Sequence, residues 1–231
     1  MKRGALPFFT GNQLKIIALV TMTCDHVAKL FFPESQLLLI LGRLAMPIFA
    51  WMIAEGCTYT RDRKKYLLQL GGLALLCQVV FFITEGSLYM CILVTFTLSI
   101  LLIYAVDDLR KKKSAQGALF AFLAVALVLS ATIVIPRLPT GTDFYVDYGF
   151  YGVLLPVAIY FGRNHFEKLC LGLVFLVLLA MDSGAVQWWS LLTLPLLALY
   201  NGQRGKWKMK WLFYIYYPLH LAALWAIDML I

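Results

Sequence analysis

Three ionisable side chains sit where an apolar stretch should have none. Within the run 13–32 the chain reads Lys15-Ile-Ile-Ala-Leu-Val-Thr-Met-Thr-Cys-Asp-His26. Charged and titratable groups inside a run long enough to cross a bilayer are costly, and they usually serve ions, protons or substrates. Lys15 and His26 are eleven residues apart, three helical turns, so both face one side of a helix at a separation of roughly 16 Å. One face therefore offers a cation near one membrane edge and an imidazole deeper in. An imidazole takes up or releases a proton near neutral pH, the chemistry of a general base. Asp25, beside it, projects about 100° away on a regular helix and cannot easily orient its neighbour. Either the helix unwinds there, or Asp25 pairs with Arg43 and another span orients His26. A purely structural alternative has Lys15 snorkelling to the headgroups and His26 packing as a hydrogen-bonded core residue.

Arg43 is the second buried charge. It lies about 10 Å into the run 36–58, a depth similar to that of His26. Pro47, four residues on, lacks the N–H that would bond the Arg43 carbonyl, which predicts a kink and a polar notch. Glu55, near the other end of that run, is level with Lys15 and is expected to pair with it. Asp25–Arg43 and Lys15–Glu55 then neutralise each other in either a structural or a functional reading. In the last run, Trp211-Leu-Phe-Tyr-Ile-Tyr-Tyr-Pro-Leu-His220, Trp211 and Phe213 suit an interfacial belt. Pro218 predicts a kink after the tyrosines Tyr214, Tyr216 and Tyr217, and it places His220 near the midplane. Asn201-Gly-Gln-Arg204-Gly-Lys-Trp-Lys joins glycines to basic side chains, a composition that suits a phosphate as well as it suits topological sorting.

The elements that must carry these residues are membrane helices. Of 231 residues 62% are hydrophobic and 14% charged, which excludes an ordinary soluble domain. Nine apolar segments follow in order: 13–32, 36–58, 66–84, 90–107, 117–136, 148–161, 168–182, 187–200 and 211–231. The sixth and eighth are short of the ~20 residues a spanning helix needs and are expected to be extended, tilted or re-entrant. The expected architecture is an all-α integral membrane protein, one polytopic bundle of about nine segments forming a single domain over residues 1–231.

The net charge of +8 argues for orientation rather than for nucleic acid. Sixteen of the twenty Lys and Arg residues fall in alternate loops, around 2–3, 61–65, 110–113, 163–168 and 204–210. The other loops and their flanks carry Glu34, Glu85, Arg137, Asp143, Asp147, Asp182 and Asp228, with Lys29 close by. The N-terminus is therefore expected in the cytosol, uncleaved, and the C-terminus outside a plasma or inner membrane. The loop 136–147 is expected to make turns. The hydroxyls of Thr95, Thr97 and Ser99 are expected to bond back to their own helix. Five cysteines in apolar runs give no disulfide framework and no metal-ligand spacing, and they are expected to be buried thiols.

Taken together these stretches resemble the TraX family, named for the protein that acetylates the N-terminus of F-pilin. The resemblance rests on Thr10-Gly-Asn-Gln-Leu-Lys-Ile-Ile-Ala with Met22-Thr-Cys-Asp-His26, Gly42-Arg-Leu-Ala-Met-Pro-Ile-Phe-Ala, and Ala54-Glu-Gly. It continues through Arg61-Asp-Arg-Lys-Lys-Tyr-Leu, Phe96-Thr-Leu, Asp147-Tyr-Gly-Phe-Tyr-Gly, Tyr200-Asn-Gly-Gln-Arg-Gly and Phe213-Tyr-Ile-Tyr-Tyr-Pro-Leu-His-Leu. That family is similar to the membrane acyltransferase-3 group, whose first span places ten residues between a basic residue and histidine, as Lys15 and His26 do here. Arg43 and Pro47 echo that group's second span.

The resemblance implies transfer of an acetyl group from cytosolic acetyl-CoA to an amine or hydroxyl acceptor near the outer face, a membrane peptide, glycan or small molecule. His26, Asp25 and Arg43 would be catalytic, with Arg43 steadying the oxyanion. Lys15, Glu55, Asn201, Arg204, Tyr217 and His220 would bind donor or substrate. Partners would be acetyl-CoA, lipid and the acceptor, with neither metal nor nucleic acid. The alternative is a transporter of protons or a small solute that uses the Lys15, Asp25, Arg43 and His26 cluster.

Overall fold

The computed structural model describes residues 8–139, 141–207 and 210–230, apart from the side chains of Lys210, Trp211 and Phe213. The basic residues Lys2, Arg3 and Lys208 and the belt residues Trp211 and Phe213 thus lie outside what is described. Among the described residues ten α-helices follow in order: α1 Gly11–Phe31, α2 Gln36–Gly42, α3 Ala45–Tyr59, α4 Arg63–Glu85, α5 Ile92–Lys112, α6 Ala115–Leu129, α7 Gly149–Phe161, α8 His165–Ser183, α9 Thr193–Ala198 and α10 Lys210–Asp228. The all-α membrane class is therefore correct.

Among the described residues four stretches are long and apolar enough to cross a membrane: Gln36–Tyr59 (α2 with α3), Arg63–Glu85, Ile92–Lys112 and Ala115–Arg137. That is fewer than the nine segments read from sequence. α1 and α8 have the length, 21 and 19 residues, but α1 carries Lys15, Asp25 and Lys29, and α8 carries Glu167, Lys168 and Asp182. The two short segments appear as the apolar helices Gly149–Phe161 and Ala185–Ala198.

The chain gathers into two compact units, one of Met1–Met52 with Arg163–Ile231 and one of Ile53–Gly162. In the first, α1 begins with a capping box: the Thr10 hydroxyl accepts from the Gln13 N–H and the Gln13 side chain accepts from the Thr10 N–H at 2.8 Å. The run 36–58 breaks at Arg43 and Leu44, and α3 restarts at Ala45. Pro47 then falls in the first turn of α3, where a missing N–H interrupts no ladder bond. The kink expected from Pro47 is thus a full break. α8 returns through Gly184, at φ +94°, into a 3₁₀-helix over Ala185–Leu192 that continues into α9. Eight residues are long for a 3₁₀-helix, a form that usually ends within three or four.

In the second unit α5 and α6 pack through Leu98, Leu102, Ala105, Ala121, Ala124 and Val128, with Val146 and Val153 against them. The alanines let the helices approach closely. The turn expected in 136–147 ends in a short parallel pairing, β1 Tyr89–Met90 with β2 Tyr145–Val146. The Gln78 side chain secures β1, donating to the Tyr89 carbonyl at 2.8 Å and accepting from the Cys91 N–H at 3.2 Å. Thr97 bonds back to Leu93 as expected, but Thr95 and Ser99 also reach outward. Thr95 donates to the Asp147 carbonyl at 2.6 Å and Ser99 to that of Val153 at 2.8 Å, so both hydroxyls hold α5 to its neighbours. Of the cysteines Cys57 is buried, whereas Cys170 lies exposed on α8, against the expectation that all five are buried.

Candidate functional site

Asp25 and His26 point to different partners, as the 100° step between helix neighbours requires. Asp25 accepts from the Arg43 guanidinium and from Lys29 one turn on, at 2.6 Å. Gly42 makes the first contact possible. A Cβ on Gly42 would stand 2.5 Å from the Asp25 Cβ and 2.8 Å from its Cα, so only glycine lets α2 come this close to α1. The next residue, Arg43, is delivered straight to the carboxylate. Arg43 Nη1 also reaches Gln187 Oε1 at 3.4 Å, on the 3₁₀-helix. Of the two alternatives open from sequence, the pairing of Asp25 with Arg43 is the one realised, and α1 stays helical through His26.

His26 is oriented from another helix. His220 Nε2 lies 2.9 Å from His26 Nδ1, and His220 Nδ1 lies 2.9 Å from the Tyr216 carbonyl. A carbonyl only accepts, so His220 Nδ1 carries a hydrogen. Neutral His220 then has a bare Nε2, which accepts from His26 Nδ1. Neutral His26 is left with an unprotonated Nε2, the state of a ring ready to take a proton. Tyr216 stacks on the His220 ring at 5.2 Å, and its hydroxyl meets the Thr23 hydroxyl at 2.7 Å. Tyr217 closes the other side, edge-on at 5.7 Å.

The second cluster lies at the start of α1. Phe9 bridges to Tyr200, the Gly11 N–H donates to the Gln203 carbonyl at 2.7 Å, and the Asn12 N–H donates to that of Arg204 at 2.9 Å. The Asn12 side chain donates to the Trp207 carbonyl at 2.7 Å. Loop 201–207 therefore covers the first turn of α1 with its carbonyls and leaves Arg204 and Lys206 exposed. Arg204 lies within electrostatic reach of Lys15. The Asn201 side chain accepts from the Gln203 N–H at 2.8 Å and so shapes the loop from within.

The sequence-derived residues thus divide into three places. Within the first unit Asp25, His26, Arg43, Tyr217 and His220 come together, and Lys15 and Arg204 share the other end of α1 with Asn201; Glu55 falls in the second unit. Sequence reasoning passed over Lys29, Thr23, Tyr216 and Gln187. For Gln187 the available signal was a spacing of three, Gln187, Ser190 and Thr193, which a 3₁₀-helix turns into one face. Among the described residues no group of His, Cys, Asp and Glu is arranged to hold a metal ion.

The model of the TraX protein family matches residues 10–228, a span that includes both clusters. The chain belongs to the TraX family. It is 25% identical, over 255 aligned positions covering 96% of each protein, to the "Probable fimbrial assembly protein FimC, serogroup H1" of Dichelobacter nodosus. A shorter match, 42% identical over 40 residues, covers 17% of this chain and 16% of "Uncharacterized protein RP591" of Rickettsia prowazekii (strain Madrid E). No solved structure matches. The TraX match agrees with the resemblance carried by the sequence motifs, and no match bears on the roles of individual residues.

Proposed function

We propose that this TraX-family chain is a membrane-embedded acetyltransferase that moves an acetyl group from cytosolic acetyl-CoA to an amine or hydroxyl near the outer face. The observation that carries the reading is the pair of hydrogen bonds from the Tyr216 carbonyl through His220 to His26, which leaves His26 Nε2 as the basic atom. In the reaction that nitrogen takes the proton of the acceptor N–H or O–H. The acceptor's lone pair forms the bond to the acetyl carbon, the C–S bond breaks, and the CoA thiolate recovers the proton from His26. His220 is a positioning residue, since it fixes the His26 tautomer without touching the acetyl group. Arg43, held by Asp25, is placed to steady the negative charge on the thioester oxygen. Arg204, Lys206 and Lys15 favour the donor phosphates at the other end of α1, with the N-terminus and this loop on the cytosolic side. The fimbrial assembly named for the Dichelobacter relative favours the amino terminus of a surface-fibre subunit as acceptor.

The test is direct. Full-length protein in nanodiscs, given radiolabelled acetyl-CoA and an amine-bearing peptide, is expected to release CoA and label the peptide. Proton or solute flux through liposomes, without CoA release or labelling, would sink the enzyme and establish a transporter.

A further inference from the structure

The first unit buries five polar side-chain atoms that have no hydrogen-bond partner among the described residues: Arg43 Nε, Trp51 Nε1, Gln187 Nε2, Ser190 Oγ and Thr193 Oγ1. A buried polar group left unpaired destabilises a fold, so five in one unit call for partners beyond the described residues. Gln187 is 3% exposed and Ser190 and Thr193 are fully buried. Gln187 and Ser190 lie three apart on the 3₁₀-helix, where such residues eclipse, and Thr193, three further on, opens α9, so the three follow one another at about 6 Å.

The line has two defined ends. At one, Gln187 meets Arg43, whose other bond goes to Asp25 beside His26. At the other, α9 runs into Tyr200 and the basic loop 201–207. There Trp51 stands edge-on to His165 at 5.4 Å and to Tyr200 at 6.5 Å, and His165 lies 3.3 Å from the Ala198 carbonyl. The six residues Gln187–Leu192 rise about 12 Å as 3₁₀-helix. The six residues of α9 add about 9 Å. A path of about 21 Å thus joins a loop suited to phosphates with an arginine suited to a thioester oxygen, with polar side chains from Gln187 to Thr193 and the apolar residues 194–198 over the remainder.

We propose that the face formed by Gln187, Ser190 and Thr193, with Arg43 and Trp51 at its ends, is the binding track for the pantetheine arm of the acyl donor. That arm is an extended chain whose two amides and hydroxyl present donors and acceptors in series, and its thioester would end at Arg43. The inference rests on the acetyl-CoA reading above and adds to it where the arm lies.

The experiment compares full-length protein in nanodiscs with the double variant Ser190→Ala/Thr193→Val, which removes two hydroxyls and little volume. Calorimetric titrations use CoA, pantetheine and adenosine 3′,5′-bisphosphate, and thermal melting is followed without ligand. The track predicts unchanged or raised melting, because two unpaired buried groups are gone. It predicts CoA and pantetheine affinity about two- to tenfold weaker per lost hydroxyl, with the nucleotide fragment unaffected. Unchanged CoA and pantetheine affinity would overturn the track and leave the acetyltransferase reading standing. A fall in melting temperature would overturn it too, by marking the hydroxyls as structural. Wild-type protein that binds neither CoA nor pantetheine would overturn both.

Discussion

The two units carry the same charge motif and use it differently. In the first, Asp25 is bound by Lys29 four residues on and by Arg43 from a neighbouring helix. In the second, Asp107 is bound by Lys111 four residues on, at 2.9 Å, and by Arg63 from a neighbouring helix. Arg63 lies over the Tyr104 ring at 5.0 Å, and its side chain is 36% exposed. Arg43 is 14% exposed and adjoins a histidine pair and a row of unsatisfied polar atoms. In the second unit Tyr104 contributes the sixth unsatisfied atom, and that hydroxyl faces the Cys57 thiol. Elsewhere in that unit polar groups close on one another: the Tyr89 hydroxyl donates to Asp147 at 2.5 Å, and Asp143 receives the Ser87 hydroxyl and the Leu88 N–H. Those two donors hold the exposed Asp143 carboxyl below the usual carboxylate range. A buried Asp–Arg–Lys triad is therefore no mark of a site by itself. What separates the first triad is the chemistry left open around it.

Truncating the two arginines should show the contrast most strongly. Arg43→Ala leaves Asp25 and Gln187 short of a donor in a nearly closed environment, and a loss of about 3 kcal/mol or more in unfolding free energy is expected. Arg63→Ala removes a half-exposed partner while Lys111 remains, and about 1 kcal/mol is expected. Equal losses in chemical denaturation would remove the distinction between the triads.

The glycines sharpen it at smaller scale. Gly42→Ala drives a methyl into the Asp25 backbone, whereas Gly56→Ala meets the Tyr66 hydroxyl, the outer end of a side chain. The first is expected to cost about 1–3 kcal/mol by overpacking, with weaker acetyl transfer as Arg43 moves. The second should sit at the low end of that range with transfer intact. Melting curves and transfer rates on both variants decide the matter.

What could be read from the chain follows from how local each cause is. A carboxylate inside an apolar run demands a cation, so the Asp25–Arg43 pair is legible in the sequence, with an unwound α1 as the alternative. The break at Arg43 and Leu44 also has a local cue, since Pro47 suits the first turn of the helix that restarts at Ala45. The His26–His220 contact joins residues 194 apart and depends on how α1 and α10 meet, which no spacing encodes. Gln187, Ser190 and Thr193 were hidden because the run 187–200 is apolar on average, and its period of three was overlooked among helices of period 3.6. The nine-segment reading took in the charged α1 and α8, the short runs of α7 and α9 (already expected to be extended, tilted or re-entrant) and the last run, α10, beside the four stretches that meet both length and composition. The division into two units was not legible at all, since it turns on which helices pack.

One measurement reaches the centre of the account: acetyl transfer and CoA binding by His26→Ala, run side by side with wild type. If His26 is the base, transfer should fall by about 10²–10⁴-fold while CoA affinity stays within about twofold, because the donor's contacts lie elsewhere. Transfer within about tenfold of wild type, with CoA still bound, would contradict the assignment and take the proton acceptor away from His26.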